Sequence, residues 1–566
     1  MKIDPLTAID YYKADHRRQY PEGTNMVYSN FTPRSNRLSN LPDNNDKIVF
    51  FGLQYFIKNF LLESWNENFF MKAKTKVVAD YKRLMDNTLG PDAIPVDHIE
   101  ALHDLGHLPI EIRALPEGTK VPMNVPVLTI HNTHPDFFWL VNYLETIMSC
   151  YLWKACTSAT TANWYREFLT TSAMKTVGNA DFVAFQGHDF SFRGQGSYQD
   201  AIVSGAAHLT SFVGTDTVPA IRFLEQYYGA NVEKELVGCS VPATEHSVMC
   251  LGTQDGEFET FKRLITEIYP KGIVSIVSDT WDFWQVITDF LPRLKDEIMN
   301  RSGGVPMDRV VIRPDSGDPV KIVCGYKTFK STIEPKKIND SSYELDYDDF
   351  KLMDTEIESM CDLLYNDYEL VEFDGNYYKL DSYDIYDLEH EHLIPVDYTS
   401  AEVKGAIECL WETFGGTINE KGYKELDPHI GLIYGDSITP ERCKQIIEQL
   451  ECKGFASTNI VFGVGSYTYN YVTRDTYGFA VKATYGEVNN EGREIQKSPK
   501  TDSGSKKSHC GLLQVVKDYK TGYIVNQGVS KHTAQYESEL HPVFVDGTLV
   551  VKHTLQEIRN RVKNNT

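Results

Sequence analysis

The segment Val310-Val311-Ile312-Arg313-Pro314-Asp315 is a short apolar run that ends on charged residues. Five more runs have the same form and end on Gly, Asp, Arg or His. They are Ser211-Phe212-Val213, Cys239-Ser240-Val241, Ile273-Val274-Ser275-Ile276-Val277, Leu432-Ile433-Tyr434 and Ile460-Val461-Phe462. From Asp216, the intervals to His246, Asp279 and Arg313 are 30, 33 and 34 residues. Each interval has room for a strand, a loop and a helix, so the pattern predicts repeated βα units with a parallel sheet.

The polar residues after these runs indicate where a functional site lies. In a closed βα barrel, functional residues occupy the C-terminal ends of the strands. The aspartates, the cationic side chains and the Gly-rich turn at 463–466 would then converge on one mouth of the barrel. Such a set of residues is typical of an enzyme site for a phosphorylated sugar.

Composition limits the class of protein. A chain of 566 residues with 42% hydrophobic content can bury a large core and is expected to form roughly two or three domains. The sequence has no apolar signal region at its start and no apolar run of about 18 residues or more, which argues against secretion or membrane insertion. The ten cysteines are scattered without a CxxC pair, as expected of a cytoplasmic protein. A net charge of −23 argues against nucleic acid as a partner.

Much of the negative charge is local. Residues 340–397 contain 19 acidic side chains and only two lysines, Lys351 and Lys379. They lie in the single long interval of the repeat, the 121 residues from Asp315 to Asp436. About 80 of these residues exceed an ordinary βα interval, which predicts an insertion at about 325–400 in one βα loop. Its aromatic and aliphatic residues indicate a small folded appendage near the barrel mouth.

The two ends of the chain have a different pattern. Apolar residues recur at helical spacing after Pro135, and residues 108–114 form a good strand after the helix stop at Gly106. Short strands are also indicated at 512–516, 523–525 and 543–551. We therefore predict an α+β domain from residues 1–150 and 480–566, beside a (βα) barrel domain at 151–479.

Four aspartates follow predicted strands, namely Asp216, Asp279, Asp315 and Asp436. A single aspartate at such a position often serves only as the N-cap of the next helix. The segment Arg313-Pro314-Asp315 is more specific, because proline fixes the turn while the Arg and the Asp can hold an anion and a hydroxyl at once. The alternative for this segment is a salt bridge in a surface turn.

Three further features suggest phosphate chemistry. The turn Gly463-Val464-Gly465-Ser466 can let backbone N–H groups approach an anion, although Gly-rich turns are common. A basic stretch follows it, which is either an anion site or a solvated loop; it contains Arg474, Lys482, Lys497, Lys500, Lys506 and Lys507. His246 stands at a strand end beside Glu245, so it is either a structural hydrogen-bonding group or a group for proton or phosphoryl transfer.

Longer motifs occur in order along nearly the whole chain outside the insertion. They include His188-Asp189-Phe190-Ser191-Phe192-Arg193-Gly194 and the segments 10–13, 51–55, 106–110, 214–218, 240–247, 312–317, 435–436 and 472–475. On these motifs the chain resembles the nicotinamide phosphoribosyltransferases, and in particular their bacterial and phage-like branch. The resemblance implies an α/β fold with the central TIM-like (βα) barrel of the type II phosphoribosyltransferases. It also implies a homodimer with shared active sites, Mg2+, and ATP as an activating co-substrate in the formation of nicotinamide mononucleotide.

The resemblance also implies roles for single residues. For substrate binding these are Tyr12, Phe190, Arg193, Asp216, Arg313, Pro314, Asp315, Gly435, Asp436, Gly465, Ser466 and Arg474. Phe190 and Tyr12 of the partner subunit would stack on the two faces of the pyridine ring. The diphosphate would meet Arg34, Arg193, His246, Arg313 and Lys482. The catalytic residues would be His246, Asp279 and Asp315, with Mg2+ bound through the diphosphate and Asp279 or Asp315.

Two differences from the vertebrate pattern bear on the site, the pair Ser466-Tyr467 in place of a run of glycines and the acidic insertion. The reaction implied is displacement of diphosphate from the ribose C1, with Arg and Mg2+ stabilising the leaving group. Two alternatives remain open. One is an enzyme that uses nicotinate, and the other is a non-catalytic regulatory homologue that kept the barrel.

Overall fold

The computed structural model describes residues 3–43, 45–301, 308–353, 355–382, 391–497 and 508–564. The chain forms two compact units. The first unit comprises Met1–Phe168, Gly187–Cys239 and Val464–Thr566, and the second comprises Leu169–Gln186 and Ser240–Gly463. The units are defined by spatial proximity of residues, which does not test the domain boundaries near 150 and 480. Those boundaries stay a prediction.

The first unit contains a seven-stranded antiparallel sheet built from both ends of the chain. Its strands, in spatial order, are Glu491–Glu494, Ala480–Val488, Thr24–Thr32, Leu128–Asn132, Ile110–Ala114, His541–Val545 and Thr548–Leu549. Two smaller antiparallel pairs are Lys47–Val49 with Lys120–Pro122 and Leu513–Asp518 with Gly522–Gln527. The strands predicted in the two terminal segments are therefore confirmed.

Helices in the first unit follow the apolar periodicity of the sequence. The helices of nine or more residues are Phe56–Ser64, Lys74–Leu89, Asp97–Leu105, Tyr198–His208, Val218–Tyr228 and Leu555–Asn564. The helix Glu145–Thr176 begins in this unit and ends in the second. The short ones are Tyr11–Asp15, His16–Gln19, Leu53–Tyr55, Asn66–Phe70, Pro135–Phe137, Leu140–Tyr143, Phe192–Gly194, Ser466–Tyr469, Arg474–Thr476 and Lys531–Tyr536. Gly106 ends the helix Asp97–Leu105 at a φ of 79°, a backbone conformation that favours glycine. The helix stop predicted at Gly106 is therefore confirmed. Within the described part of the chain, no helix has the length and apolar character needed to cross a membrane.

The second unit contains parallel strands in the spatial order Ile273–Val277, Arg309–Arg313, Ile430–Tyr434 and Ile460–Val464. Most of their residues are buried, which suits strands of a parallel sheet covered on both faces. Its helices are Val183–Gln186, His246–Leu251, Glu257–Arg263, Leu264–Ile268, Phe283–Gln285, Val286–Phe290, Leu291–Arg293, Lys295–Met299, Pro319–Cys324, Ser400–Lys404, Ala406–Phe414, Pro440–Cys452 and Ser457–Asn459. A small antiparallel pair joins Gly416–Ile418 with Lys424–Leu426. Four of the six apolar runs are thus confirmed as parallel strands.

The other two runs differ from prediction. Residues 211–213 precede the strand Gly214–Thr215 rather than forming it, because the N–H groups of Ser211 and Phe212 bond back to the His208 carbonyl at the end of a helix. The run at 239–241 is reduced to an isolated bridge between Cys239 and Gly214. Pro242 directly after it has no N–H for a sheet ladder, which limits the strand.

The acidic insertion is a folded appendage, as predicted. Its six-stranded sheet has the order Thr328–Lys330, Leu370–Phe373, Asn376–Ser382, Glu391–Val396, Tyr343–Glu344 and Lys336–Lys337. The helices Tyr347–Leu352 and Met360–Tyr365 accompany the sheet. Phe350, Leu363, Val371 and Leu393 are among its core residues. Residues 354 and 383–390 of the acidic stretch lie outside the described part, and its place near the barrel mouth stays a prediction.

Buried histidines make the first unit sensitive to acid. Burial lowers the pKa of His98 from 6.5 to about 4, so the folded protein binds a proton at this ring less readily than the unfolded chain. Stability from this group is present above pH 6.5 and is lost as pH falls toward 4. Between pH 7 and pH 5 the loss is about 2 kcal/mol. We expect the thermal midpoint of His98→Leu to fall less over this range than that of the wild type; an equal fall in both would contradict the assignment.

Candidate active site

The ends of the parallel strands in the second unit bring predicted site residues to one edge of the sheet. Val277 pairs with Arg313, and Ile312 pairs with Leu432 on the next strand. Because these strands are parallel and in register, the segments that follow them emerge at the same edge. Asp279, Asp315 and Asp436 lie on these segments. The sequence spacing therefore predicted a real spatial cluster.

None of the four strand-end aspartates is the N-cap of the next helix. Asp282 caps the helix after Asp279, Asp318 caps the helix after Asp315, and Thr439 caps the helix after Asp436. Each of these caps accepts backbone N–H bonds in the first turn. The helix after Asp216 begins at Val218 with Thr217 at the N-cap position. The N-cap interpretation is thus wrong for all four. Their carboxylates are not used for helix capping.

Asp279 links His246 to the segment after the next strand. One of its oxygens lies 3.3 Å from His246 Nε2, and the other accepts a 3.0 Å hydrogen bond from the Asp315 N–H. The Asp279 side chain is 5% exposed and that of His246 is 48% exposed. A buried carboxylate thus fixes one ring nitrogen of a histidine that remains accessible to solvent. This arrangement suits proton or phosphoryl transfer at the other nitrogen.

Asp315 carries a perturbed carboxyl group. Burial is the largest cause of its raised pKa, and Arg313 opposes the shift. The carboxylates of Asp279 and Asp436 raise the pKa further, while His246 lowers it. Concentrated negative charge at this edge favours partners that donate hydrogen bonds or carry positive charge, such as ribose hydroxyls or a cation.

A magnesium ion at this edge would need oxygen ligands in addition to those of the protein. Among the described residues, no group of three or more His, Cys, Asp or Glu side chains is arranged to hold a metal ion. Mg2+ is commonly bound by one or two carboxylates, with phosphate oxygens and water completing the octahedron. Asp315 suits this mode better than Asp279, because both oxygens of Asp279 already accept hydrogen bonds. Binding of Mg2+ through Asp315 and the diphosphate stays a prediction.

Arg313 is fixed by the backbone rather than by an acid. Its Nη2 donates a 2.6 Å hydrogen bond to the Thr244 carbonyl, and Pro314 beside it is buried. Arg313 takes part in no ion pair with the described residues, so the surface salt bridge considered above is wrong. Its buried Nε has no hydrogen-bond partner among them. A guanidinium held in this way retains donors for an anion.

In the first unit, the strand Gly187–Asp189 positions the residues predicted to meet the pyridine ring. Side chains alternate along a strand, so His188 and Phe190 point to the same side while Asp189 is fully buried on the other. The His188 and Phe190 rings are 5.0 Å apart. Asp216 follows the neighbouring parallel strand, and its N–H donates to the Asp189 carbonyl at 3.0 Å.

Sequence reasoning assigned no role to His188. Its Nε2 lies 2.9 Å from Asp216 Oδ1, which makes it a partner of a predicted site residue. The signal was present in the sequence, because a histidine two residues before Phe190 on a strand must share its face. The sequence could not predict that His188 lies close to Asp216, because Asp216 follows a different strand.

The Gly-rich turn lies against the loop that carries Arg193. Gly465 precedes the short helix Ser466–Tyr469, and the first N–H groups of a helix have no intrahelical partner. A Cβ at Gly194 would lie 2.2 Å from Ser466 Oγ, so only glycine allows this close approach. The loop that carries Arg193 therefore lies against Ser466, and a phosphate cradle at Gly465 and Ser466 stays a prediction. Gly435, the other predicted glycine, directly follows the strand Ile430–Tyr434 in the second unit.

Five basic residues of the first unit line a cavity of about 550 Å³. Its cationic lining residues are Arg34, Arg37, Arg474, Lys482 and Lys497. Burial lowers the pKa of Lys482; Glu145 opposes this, while Arg34 and other cations add to it. Mutual repulsion of this kind is relieved when an anion binds. An anion site at these residues stays a prediction, and Lys500, Lys506 and Lys507 lie outside the described residues.

Tyr12 is at the surface of its own chain. It is 61% exposed and lies in the short helix Tyr11–Asp15. Among the described rings it contacts His16 at 5.2 Å, whereas Phe190 contacts His188. Among the described residues, the Tyr12 ring therefore packs on His16 of its own chain and makes no ring contact with Phe190.

The sequence matches the profiles of two known protein families. The profile of the nicotinate phosphoribosyltransferase family matches residues 185–547 of this chain. The chain belongs to this phosphoribosyltransferase family. A second profile, that of the nicotinamide phosphoribosyltransferase N-terminal domain, matches residues 5–112. The resemblance found in the motifs is thereby confirmed.

Individual relatives of this phosphoribosyltransferase cover nearly its full length. It is 52% identical to a nicotinamide phosphoribosyltransferase of Acinetobacter baylyi, over 99% of this chain and 97% of that protein. It is 31% identical to one of Mycoplasma pneumoniae, over 90% and 96%. The crystal structure of nicotinate-nucleotide pyrophosphorylase from Pyrococcus furiosus superposes with a TM-score of 0.50 at 13% identity, over 99% of this chain and 95% of that one. These likenesses confirm the predicted α/β fold class of the type II phosphoribosyltransferases.

Proposed function

We propose that this phosphoribosyltransferase transfers the 5-phosphoribosyl group of phosphoribosyl pyrophosphate to nicotinamide. The products are nicotinamide mononucleotide and diphosphate, and the reaction serves NAD salvage. The 52% identity to the Acinetobacter baylyi enzyme supports the reaction. The observation that carries the choice of base is the Asp216 carboxylate, held by His188 at the side of Phe190.

The charge of Asp216 distinguishes the two candidate bases. An ionised carboxylate accepts hydrogen bonds and donates none. It can therefore accept an N–H of the nicotinamide carboxamide, while it repels the carboxylate of nicotinate at close range. Phe190 next to it offers an aromatic face for the flat pyridine ring. These properties favour nicotinamide over nicotinate.

The remaining residues suit the phosphorylated sugar. Arg313 and the basic cavity residues provide cations for the diphosphate, on which negative charge grows as the bond to ribose C1 breaks. Asp315 and Asp436 suit the ribose hydroxyls, and Gly465 with Ser466 suits the 5′-phosphate. Mg2+, when bound, neutralises diphosphate charge. No covalent bond between the protein and the sugar is needed.

Two further parts of the proposal concern ATP and the partner chain. The exposed His246, oriented by Asp279, supports phosphorylation by ATP. The exposed Tyr12, whose ring does not meet Phe190 in its own chain, supports a homodimer in which each site uses Tyr12 of the partner subunit.

One assay separates the proposed function from its alternatives. The purified protein is incubated with phosphoribosyl pyrophosphate, Mg2+ and either nicotinamide or nicotinate, and the products are identified by mass spectrometry. We expect nicotinamide mononucleotide as the main product. Formation of nicotinate mononucleotide alone would make it the nicotinate enzyme, and no product from either base would support the non-catalytic homologue.

Asp216→Asn is expected to weaken the use of nicotinamide relative to nicotinate. The amide loses the charge that repels nicotinate, and it offers a weaker acceptor to the carboxamide. A hydrogen bond to a charged group corresponds to about a tenfold effect or more, so the ratio of kcat/KM for the two bases should fall by at least about tenfold. Asp136→Asn changes an exposed aspartate of the same unit and serves as the control. An unchanged ratio in Asp216→Asn would show that this residue does not read the base.

A further inference from the structure

His188 forms a close pair with Asp216, and the two side chains differ in exposure. His188 Nε2 lies 2.9 Å from Asp216 Oδ1. The His188 side chain is 11% exposed, whereas that of Asp216 is 47% exposed. The histidine is thus fixed inside the first unit, and the carboxylate it contacts reaches the solvent.

We propose that His188 is a positioning residue that sets the orientation of Asp216 for the carboxamide of the pyridine base. This inference rests on the proposed function, in which Asp216 reads the base. In this assignment His188 Nε2–H donates to Asp216 Oδ1. The histidine does not touch the reacting atoms; it acts through the carboxylate.

The hydrogen bond removes a freedom that would weaken recognition. An aspartate side chain on a strand end can rotate about two torsions, and fixing it only when the base binds costs side-chain entropy. The bond to His188 fixes the carboxylate before the base arrives. An ionised carboxylate has about four acceptor positions, so it can bond an imidazole and an amide N–H at the same time.

The imidazole also keeps the charge that discriminates between bases. A hydrogen bond donated to a carboxylate favours its ionised form. The ionised carboxylate presents negative charge to the base. A nicotinate carboxylate is repelled by it, and a nicotinamide N–H is attracted.

The surroundings of the ring hold it in this position. His188 pairs with Gly214 on the neighbouring parallel strand, and a Cβ at Gly214 would lie 2.7 Å from His188 Nδ1. On another side the ring lies edge-on to Phe190, with centroids 5.0 Å apart. One ring thus contacts both the residue proposed to stack on the base and the residue proposed to read its amide.

A comparison with His208 separates positioning from a purely structural role. His208 is fully buried, and its Nε2 lies within 3.2 Å of the carbonyl oxygens of Gly187 and Gly214. Its bonds therefore hold the backbone of the two strands together. His188 instead bonds a half-exposed side chain at the strand ends, where fold stability gains little.

Substitutions of different reach test the inference. In His188→Gln, the side-chain amide can occupy the place of Nε2 and donate to Asp216. In His188→Asn, the same amide is one methylene shorter, corresponds to Nδ1, and cannot make this bond. Both variants of the full-length protein are assayed for kcat and KM with nicotinamide and with nicotinate at saturating phosphoribosyl pyrophosphate. His98→Gln, at another buried histidine of the same unit, is the control.

We expect His188→Asn to raise KM for nicotinamide about tenfold while kcat changes less than about twofold, as loss of one charge-assisted hydrogen bond predicts. The ratio of kcat/KM for nicotinamide to kcat/KM for nicotinate should fall in the same variant. His188→Gln should retain most of the affinity for nicotinamide and most of this ratio. Equal KM values and equal base ratios in the wild type and both variants would overturn the inference. So would an equal loss in Gln and Asn variants, which would indicate a need for the ring itself.

Two controls keep the outcome interpretable. If the wild type makes no nicotinamide mononucleotide, the proposed function fails before His188 is tested; if it does and His188→Asn keeps its selectivity, only this inference fails. Should His188→Asn not fold, Gly214→Ala provides a second route, because its Cβ displaces the same ring. Gly214→Ala should then raise KM for nicotinamide, and an unchanged KM in a folded Gly214→Ala protein would also contradict the inference.

Discussion

His246→Ala is expected to abolish ATP hydrolysis and ATP stimulation while part of the basal phosphoribosyl transfer remains. In the wild type, Asp279 Oδ1 lies 3.3 Å from His246 Nε2 and holds this nitrogen as N–H. The other nitrogen, Nδ1, then has a lone pair that can attack the γ-phosphorus of ATP. An N–P bond forms, the bond from the γ-phosphorus to the bridging oxygen breaks, and ADP leaves. Alanine has no such nitrogen, so the effect on ATP turnover should be complete.

The measurement uses ATP labelled at the γ-phosphate. Wild-type protein should acquire a label that is lost in acid and kept in base, as a phosphohistidine is, and His246→Ala should not. His532→Ala removes an exposed histidine of the first unit and should label like the wild type. An acid-labile, base-stable label on His246→Ala would place the phosphoryl group elsewhere.

In this scheme Asp279 orients the His246 ring. A variant of Asp279 separates this orienting role from the phosphoryl transfer at His246 itself. Asp279→Asn keeps the shape of the side chain but loses the charge that stabilises the ring as it gains the phosphoryl group. The label should therefore form more slowly and still reside on His246. Because Asp279 also accepts the Asp315 N–H, basal transfer is expected to fall as well.

The strands of the parallel sheet were predictable because burial on both faces demands near-continuous apolar runs. The runs that became Ile273–Val277 and Ile430–Tyr434 are of this kind. The prediction of a strand at 239–241 was wrong because Pro242 interrupts the hydrogen-bond ladder. The apolar pattern alone does not take this local effect into account. The position of the site followed from strand order and register, since parallel strands end at one edge.

The roles of the individual acids were harder to predict, because they depend on loop conformation. Sequence alone could not tell whether Asp279 or Asp282 caps the following helix, since both residues stand before it. In the structure Asp282 takes the cap, and Asp279 turns to His246 and to the Asp315 N–H. The pairing of His188 with Asp216 was missed for the same reason, because it joins two strand ends 28 residues apart.

Hybrid dimers of Tyr12→Ala and Asp315→Ala chains are expected to regain activity that both parent variants lack. The Tyr12 ring is exposed, and in its own chain it contacts His16 rather than Phe190. If each site takes Tyr12 from one chain and Asp315 from the other, a hybrid dimer has one intact site and one doubly altered site. Random pairing makes half of the dimers hybrid, so co-expression should restore up to about a quarter of wild-type activity.

A matched pair of variants shows whether the recovery arises across the interface. Arg313 and Asp315 lie on one segment of the same chain. In a hybrid of Arg313→Ala and Asp315→Ala chains, each site therefore carries one defect and neither site is intact. Mixing those two variants should give no recovery. The two chains carry different affinity tags, so that hybrid dimers can be isolated and counted before assay. If isolated Tyr12→Ala/Asp315→Ala hybrids are as inactive as their parents, Tyr12 does not act across the interface, and the base must be held by residues of a single chain.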